Sequence, residues 1–311
     1  MKTLGKVILI VVIVLIILVI LIYLGLKKIW TNILTAPMTP ENYIIEVMTG
    51  GDLEAKYIAS GRYETSYFEA DYLENADIKK IEVWYPTELE TNSAKYPVVL
   101  FINGTGVSAS RYRPVFEHLA SWGFIAIGNE DPSTWEGKKA DATLSWLLAA
   151  NEDETSIFYH RVDEENIGIT GHSQGGVGVF STINNTEHKD MYKCAVSLSP
   201  TQEDTAEALK MPYDSSKTTI PVMILAGAPN DVISLEGLNN MFSKISSDVV
   251  VARRSHTDHG KMLYSADGYV TAWFMWQLQG DEEAGTAFLG KNAEILRNVN
   301  WQDIRINFSN N

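Results

Sequence analysis

The sequence predicts an α/β fold with a doubly wound, mostly parallel sheet flanked by helices. From residue 98 onward, short apolar runs are each followed by a polar loop and an amphipathic helical segment. This alternation is typical of βαβ units with right-handed crossovers. The apolar runs are continuous rather than alternating, which indicates strands buried on both faces. With 311 residues, 45% of them hydrophobic, the chain can bury one large core.

The predicted elements follow the chain in order. Residues 57–72 are rich in aromatic side chains and predict one or two antiparallel strands, and Ile78 to Tyr85 alternates as a further strand. The parallel strands come next, with helices between some of them. We expect these strands at Val98–Ile102, Phe124–Ile127, Asn166–Thr170, Cys194–Leu198, Val222–Ala226 and Val249–Arg253, and helices near Tyr112–Trp122, Lys138–Ala150, Val177–Ser181 and Lys261–Leu278.

The amino-terminal part contains a run of uncharged, apolar residues from Val7 to Leu26. Its length suits a helix that crosses a bilayer and exceeds the apolar region of a signal peptide, although a cleaved signal stays the alternative. We expect a membrane anchor over residues 1–29, with an N-terminal transmembrane helix at about 7–26, a linker over 30–41 and the α/β domain over 42–311. A slight excess of positive charge before the run favours a single-pass protein of the cell membrane, with its amino terminus cytoplasmic and its domain extracellular.

Charge and cysteine content restrict the class of protein. The formal net charge is −14, and the four lysines before residue 29 are unopposed, so the remaining chain is more acidic still. Without a basic cluster, nucleic-acid binding is excluded. The single cysteine, Cys194, excludes an intramolecular disulfide and lies in an apolar run, which favours a buried position. An extracellular domain without disulfides is more typical of a bacterial surface than of a eukaryotic secretory route.

Residues Gly171 to Gly176 read Gly-His-Ser-Gln-Gly-Gly, between a predicted strand and a helix of small residues. Strand, G-x-S-x-G and helix together form the nucleophile elbow. The turn lifts the serine hydroxyl above the sheet, and the two outer glycines keep the neighbouring backbone clear. Ser173 is therefore the candidate nucleophile.

A serine hydroxyl needs a general base, and the base needs an acid to orient it. With a serine on this type of elbow, the chain order is serine, acid, histidine. Asp231 follows the fifth predicted parallel strand and is the candidate acid, with Glu236 as the alternative. His259 follows the sixth strand and is the candidate base, with His256 as the alternative.

Three further features complete the predicted site. The tetrahedral intermediate needs two backbone N–H donors, which we expect from Gln174, after the nucleophile, and Thr105, in a loop with two glycines. Gly104, in that loop, and His172, beside the nucleophile, are candidates for substrate binding. Trp135 lies in a segment expected to face the site and is a candidate either for substrate binding or for capping the core.

These residues resemble the cutinase-like branch of the dienelactone hydrolase and α/β-hydrolase superfamily, which includes bacterial polyester hydrolases and chlorophyllase-like proteins. The resemblance covers about residues 97–279. It is carried by the loops of Asp231 and His259 and by three motifs: FINGTG from Phe101, WGFIAI from Trp122 and GHSQGG from Gly171. It implies the α/β-hydrolase fold and ester hydrolysis without a metal or other cofactor, with Ser173, Asp231 and His259 as the triad and Thr105 and Gln174 as oxyanion donors.

The chain also departs from that branch. At a position where its polyester hydrolases have a tryptophan, this chain has Thr201, and the paired cysteines near the carboxyl terminus are missing.

Taken together, the triad, the resemblance and the apolar run predict hydrolysis of carboxylic esters through an acyl-enzyme. The expected substrates are small-molecule or lipid-like esters, and the protein is expected to be held to the lipid bilayer. An acyltransferase or amidase with the same triad, and an inactive binding protein of the same fold at the cell envelope, stay open as alternatives.

Overall fold

The computed structural model describes residues 15–28, 31, 36–71, 78, 80–132 and 134–308. The chain divides into two compact units, Met1–Pro37 and Met38–Asn311. In the first unit, residues 15–28 are helical with exposed side chains. No helix within the described residues has both the length and the apolar character that a bilayer span requires. The expected transmembrane helix thus has no support from the structure, and residues 7–14 of that span lie outside the described part.

The second unit is built on a sheet in which the described residues form nine strands. In spatial order the strands are β1-β2-β4-β3-β5-β6-β7-β8-β9. The six strands from β4 to β8 in this order pair in parallel, while β1, β2 and β9 pair antiparallel at the two edges. The strands are β1 (Thr65–Asp71), β2 (Lys80–Pro86), β3 (Tyr96–Ile102), β4 (Ile125–Asn129), β5 (Val162–His172), β6 (Tyr192–Leu198), β7 (Val222–Ala228), β8 (Val249–Ser255) and β9 (Trp301–Asn307).

Helices cover both faces of this sheet and bury two apolar clusters. Along β3, Val98 and Leu100 belong to one cluster, while Val99 and Phe101 belong to the other. This is the mostly parallel α/β sheet that the sequence predicts, and it fits an α/β-hydrolase. The helices are α1 (Tyr43–Glu46), α2 (Asp52–Ile58), α3 (Arg113–Ser121), α4 (Lys138–Glu152), α5 (Gln174–Asn185), α6 (Glu203–Ala208), α7 (Leu235–Lys244), α8 (Met262–Ser265), α9 (Asp267–Gln279) and α10 (Glu282–Gly285).

Some elements differ from the sequence-based expectation. Residues 57 and 58 end helix α2 instead of beginning a strand, because the first N–H groups of α2, on Leu53 and Glu54, donate to the Glu294 carboxylate. A helix cap from the other end of the chain leaves no trace in the local pattern. The single helix expected over Lys261–Leu278 is two helices, α8 and α9, and the sequence did not predict α7 or β9.

A buried carboxylate ties the beginning of the second unit to its end. Glu54 is 1% exposed and pairs with the guanidinium of Arg254, on β8. It also accepts hydrogen bonds from Trp301 Nε1 at 2.9 Å, Asn298 Nδ2 at 2.8 Å and the backbone N–H of Gly50 at 2.8 Å. A buried charge is tolerated when it is paired and hydrogen-bonded in this way. We call these five residues the Glu54 cluster.

A second buried group fastens α1 to the sheet-covering helices. Asp267, at the start of α9, accepts from the hydroxyl of Tyr43 and lies 2.7 Å from Nδ1 of His118, on α3. The other ring nitrogen of His118 lies 2.9 Å from the carbonyl oxygen of Ala59. Burial alone would lower the pKa of His118, but the Asp267 carboxylate and the carbonyl raise it. Both ring nitrogens of His118 face acceptors, which favours the protonated ring.

Candidate active site

Ser173 lies on the turn between β5 and α5 with a strained backbone. Its φ is 61° and its ψ is −121°, a backbone conformation that residues other than glycine rarely adopt. Its N–H donates to the carbonyl of Leu198 at 2.9 Å. A Cβ on Gly171 would lie 2.5 Å from the carbonyl oxygen of Gly175, and one on Gly175 would lie 2.1 Å from that of Ile102. Both glycines are thus required by close backbone approach, as the elbow motif predicts.

The structure brings Ser173, His259 and Asp231 together. His259 Nε2 lies 3.0 Å from Ser173 Oγ, and His259 Nδ1 lies 2.8 Å from Asp231 Oδ1. A carboxylate only accepts, so Nδ1 carries the proton and Nε2 is free to accept from the serine hydroxyl. The Asp231 side chain is 1% exposed and that of His259 is 29% exposed. The arrangement can remove a proton from Ser173 and stabilise the imidazolium that results.

The two alternatives for acid and base lie elsewhere. His256 is exposed, has a φ of 55° and lines a cavity with Met48 and Tyr264. Glu236 is in the first turn of α7. In the contacts made by the described residues, neither side chain reaches Ser173, so the geometry favours His259 and Asp231.

Asp231 is held from both of its oxygen atoms. Oδ2 accepts from Ser199 Oγ at 2.6 Å and from the N–H of Gly227 at 2.6 Å, while Oδ1 accepts from the N–H of Val232 at 2.6 Å. Burial alone would raise the pKa of Asp231, but the hydrogen bonds from His259, Ser199 and Gly227 lower it. The carboxylate is therefore ionised at neutral pH. The sequence reasoning missed Ser199, whose only signal is its place at the carboxyl end of β6.

One expected oxyanion donor, Gln174, follows Ser173 directly, and the other, Thr105, is next to Gly104, which approaches Ser173. In the described part of the chain, no hydrogen bond is made by the backbone N–H of Thr105 or by that of Gln174, which begins α5. The Thr105 loop approaches closely, since a Cβ on Gly104 would lie 3.7 Å from that of Ser173. The N–H of Gly104 donates to Tyr112 Oη at 2.9 Å. Tyr112, which sequence reasoning also missed, thereby anchors the loop.

A second loop, residues 129–137, is fastened beside the Thr105 loop. Asn103 Nδ2 donates to the carbonyls of Asn129 at 2.6 Å and Asp131 at 2.8 Å, and Thr134 Oγ1 donates to the carbonyl of Asn103 at 2.9 Å. Trp135 follows in this loop and is half-buried. Its two expected roles, substrate binding and capping of the core, stay predictions.

His172, a candidate for substrate binding in the sequence, is buried against the candidate base. Its side chain is 3% exposed, and its Nε2 atom lies 2.7 Å from the carbonyl oxygen of His259. His172 is the last residue of β5, and its side chain packs against His259 in the loop after β8. The Gln174 side chain, also absent from the sequence reasoning, donates to Met211 Sδ at 3.1 Å.

Metal ligands do not cluster in the described part of the chain. Among residues 15–28, 31, 36–71, 78, 80–132 and 134–308, no three His, Cys, Asp or Glu side chains are grouped so that they could hold a metal ion. Cys194 is buried, and burial raises the pKa of its thiol.

Comparison with known proteins relates the chain to hydrolases. The family model described as "PETase: PET hydrolase-like" matches residues 69–290. Chlorophyllase type 0 of Chenopodium album is 25% identical over an alignment of 214 residues that covers 58% of this chain and 61% of that protein. Platelet-activating factor acetylhydrolase of Cavia porcellus is 24% identical over an alignment of 171 residues that covers 39% of this chain and 38% of the relative. Cutinase est2 of Thermobifida alba is 26% identical over 123 residues, 38% of each chain. The matched parts thus span less than two thirds of each relative.

Proposed function

The chain belongs to the PET hydrolase-like family, and on that premise we propose that it is a serine carboxylic ester hydrolase. The observation that carries the proposal is the line of contacts from Ser173 Oγ to His259 at 3.0 Å and on to Asp231 at 2.8 Å. The relatives' names, a chlorophyllase, an acetylhydrolase and a cutinase, support the same chemistry. The strained elbow supports Ser173 as the nucleophile.

The proposed reaction proceeds in two halves. Ser173 Oγ attacks the ester carbonyl while its proton passes to His259 Nε2, and the ionised Asp231 stabilises the imidazolium. The oxyanion accepts hydrogen bonds from the N–H groups of Thr105 and Gln174. The intermediate collapses, and the alcohol leaves with the proton from His259. Water then gives a proton to His259, attacks the acyl carbonyl and releases the acid, and the proton returns to Ser173.

The proposed substrate class follows from the net charge of the chain and from its aromatic residues. The negative net charge disfavours anionic esters, so we infer a neutral or cationic substrate. Thr201 has no aromatic ring to cover a polymer chain, and Trp135 lies within the fastened loop beside the Thr105 loop. Small-molecule or lipid-like esters therefore fit the proposal better than a polyester.

Membrane attachment belongs to the same proposal and rests on the sequence. The run Val7 to Leu26 suits a single-pass helix, and the apolar side chains of residues 15–24 are about half exposed or more. We place residues 1–29 in the anchor, 30–41 in the linker and 42–311 in an extracellular domain at the cell membrane. Expression of the full chain with membrane fractionation, and protease treatment of intact cells, tests this arrangement. Recovery of the chain in the soluble fraction would contradict it.

The decisive experiment measures ester hydrolysis by the full chain in detergent. Nitrophenyl esters from acetyl to palmitoyl serve as substrates, with Ser173→Ala as the test variant and Ser243→Ala, at an exposed serine, as the matched control. We expect Ser173→Ala to lose activity by about 10³-fold or more and to lose labelling by a fluorophosphonate, while Ser243→Ala retains both.

Two other outcomes have distinct meanings. Acyl transfer to added alcohols or amines in preference to water, or cleavage of anilides in preference to esters, would support the acyltransferase or amidase alternative. No turnover and no labelling of Ser173 would contradict the proposal and leave the inactive binding protein.

A further inference from the structure

His172 contacts both the backbone and the ring of the candidate base. The His172 side chain is 3% exposed, and its Nε2 lies 2.7 Å from the backbone oxygen of His259. The two imidazole rings are 4.6 Å apart between centroids, with 35° between their planes. Two independent contacts, one to the backbone and one to the ring, therefore join these residues.

The acceptor fixes the protonation of the His172 ring. A carbonyl oxygen only accepts hydrogen bonds, so Nε2 of His172 must carry a hydrogen. Residues flanking His259 have their own contacts: the N–H of Thr257 donates to the Ala228 carbonyl at 3.2 Å, and the N–H of Lys261 donates to Asp258 Oδ1 at 3.0 Å. These contacts hold the loop on both sides, and His172 holds His259 itself.

We propose that His172 is a positioning residue, which sets the orientation of the His259 ring through its Nε2–H donor and its flat face. This inference rests on the proposed function, since it concerns the same triad. Asp231 fixes one nitrogen of the His259 ring, but the contact of the other nitrogen with Ser173 is broken during the reaction, and the ring can then swing about the first. The contacts of His172 with the backbone and ring restrict that motion and keep Nε2 directed at Ser173.

The charge state of His172 suits this role. Burial, and then the neighbouring His259, lower the pKa of His172 to about 4. The nearby Asp231 and the hydrogen bond to the His259 carbonyl oppose this shift without cancelling it. His172 is thus neutral when His259 takes up a proton. A charged donor at this position would repel the imidazolium that forms 4.6 Å away.

Two substitutions separate the donor from the ring. His172→Phe keeps a flat ring and removes the N–H, while His172→Gln keeps an N–H donor and removes the ring. His188→Gln is the matched control, because Nδ1 of His188 is also within hydrogen-bond distance of an acceptor, Asp141 Oδ1 at 3.1 Å. The full chain in detergent is used for kcat and KM on a nitrophenyl ester, for the melting temperature, and for the low-field proton resonance of the hydrogen bond between His259 and Asp231.

We expect kcat of His172→Phe to fall by about 10- to 100-fold with KM little changed, and the low-field resonance to shift or broaden. His172→Gln should recover part of the lost kcat and sharpen the resonance, and His188→Gln should match the native chain in both. A purely structural role would lower the melting temperature of both His172 variants without separating them in kcat.

Three results would overturn the inference. The first is an unchanged kcat and resonance in His172→Phe. The second is equal impairment of His172→Phe and His172→Gln. The third is a raised KM with unchanged kcat, which would place His172 in substrate binding as the sequence predicted. If the native chain hydrolyses no ester, the proposed function fails, yet the low-field resonance of the variants still tests the contact between His172 and His259.

Discussion

Ser199 donates a hydrogen bond to Asp231 with 2.6 Å between Oγ and Oδ2, and so joins the carboxyl ends of β6 and β7. The oxygen that Ser199 binds is not the one that faces His259, which lies 2.8 Å from Oδ1. The carboxylate is therefore fixed at both oxygens, and its plane cannot rotate without breaking a hydrogen bond. This arrangement gives Ser199 an influence on the candidate base without contact between them.

Replacement of Ser199 by alanine should lower kcat by about tenfold, because a hydrogen bond to a charged group contributes about 1.5–3 kcal/mol. KM should change little, since the hydroxyl acts on the orientation of Asp231. Steady-state kinetics on a nitrophenyl ester measure the effect, with Ser243→Ala as the control. A kcat equal to that of the native chain would mean that Gly227 and His259 hold Asp231 without the hydroxyl.

Replacement of Tyr112 by phenylalanine should lower kcat by about tenfold, because the buried N–H of Gly104 loses its acceptor. The Thr105 loop would then relax, and the oxyanion donor would move from its place beside Ser173. Tyr85→Phe is the matched control, since Tyr85 lies on β2 and its hydroxyl donates to Glu90. If both variants lose stability alike and neither loses kcat, Tyr112 does not act on the oxyanion donor.

The free energy of unfolding should depend on pH through His172. The pKa of this buried ring is about 4 in the folded chain against about 6.5 in an unfolded one. Between these values the unfolded chain binds more protons, so the contribution of His172 is complete above pH 6.5 and falls by about 3 kcal/mol as the pH drops to 4. Urea unfolding at pH 4, 5.5 and 7 measures this.

The comparison for that measurement is His172→Gln, which lacks the titrating ring. Titrating groups that do not contact His172, including His118 with its raised pKa, are common to both chains, and their effect cancels in the difference. We expect the difference between the native chain and His172→Gln to change by about 3 kcal/mol over this range. A constant difference would mean that His172 is hydrated or charged in the folded chain.

Replacement of Glu54 by glutamine should lower the free energy of unfolding by about 3–5 kcal/mol, because Arg254 is left as a buried charge without a carboxylate. Asp52→Asn is the matched control, since Asp52 is an exposed acid on the same helix. Urea unfolding at pH 7 measures both variants. Equal stability of the two would indicate that water reaches Arg254 and replaces the ion pair.

The sequence predicted the fold and the main side chains of the site because their signals are local. Continuous apolar runs mark the parallel strands, and the elbow motif requires glycines at fixed spacing around Ser173. The chain order of acid and histidine then points to Asp231 and His259, which the structure places within 2.8 Å of each other. Each step needs only a few consecutive residues and a rule for the fold.

The supporting contacts could not be predicted in the same way. Ser199 reaches Asp231, and Tyr112 reaches Gly104, only after the strands that carry them are aligned. His172 shows the same limit. Its place beside Ser173 in the sequence suggested substrate binding, but in the structure it contacts His259. The capping of α2 by Glu294 is a fourth case, in which 240 residues separate donor and acceptor.

The Glu54 cluster also determines when the domain can fold during its synthesis. Glu54 leaves the ribosome 200 residues before its partner Arg254, and 244 and 247 residues before Asn298 and Trp301. Domains generally fold as the chain emerges. Here helix α2 lacks its cap until Glu294 is made, and the buried acid of Glu54 lacks its three distant partners until Arg254, Asn298 and Trp301 are made. The catalytic unit can therefore close only after residues 294 to 301 have left the ribosome.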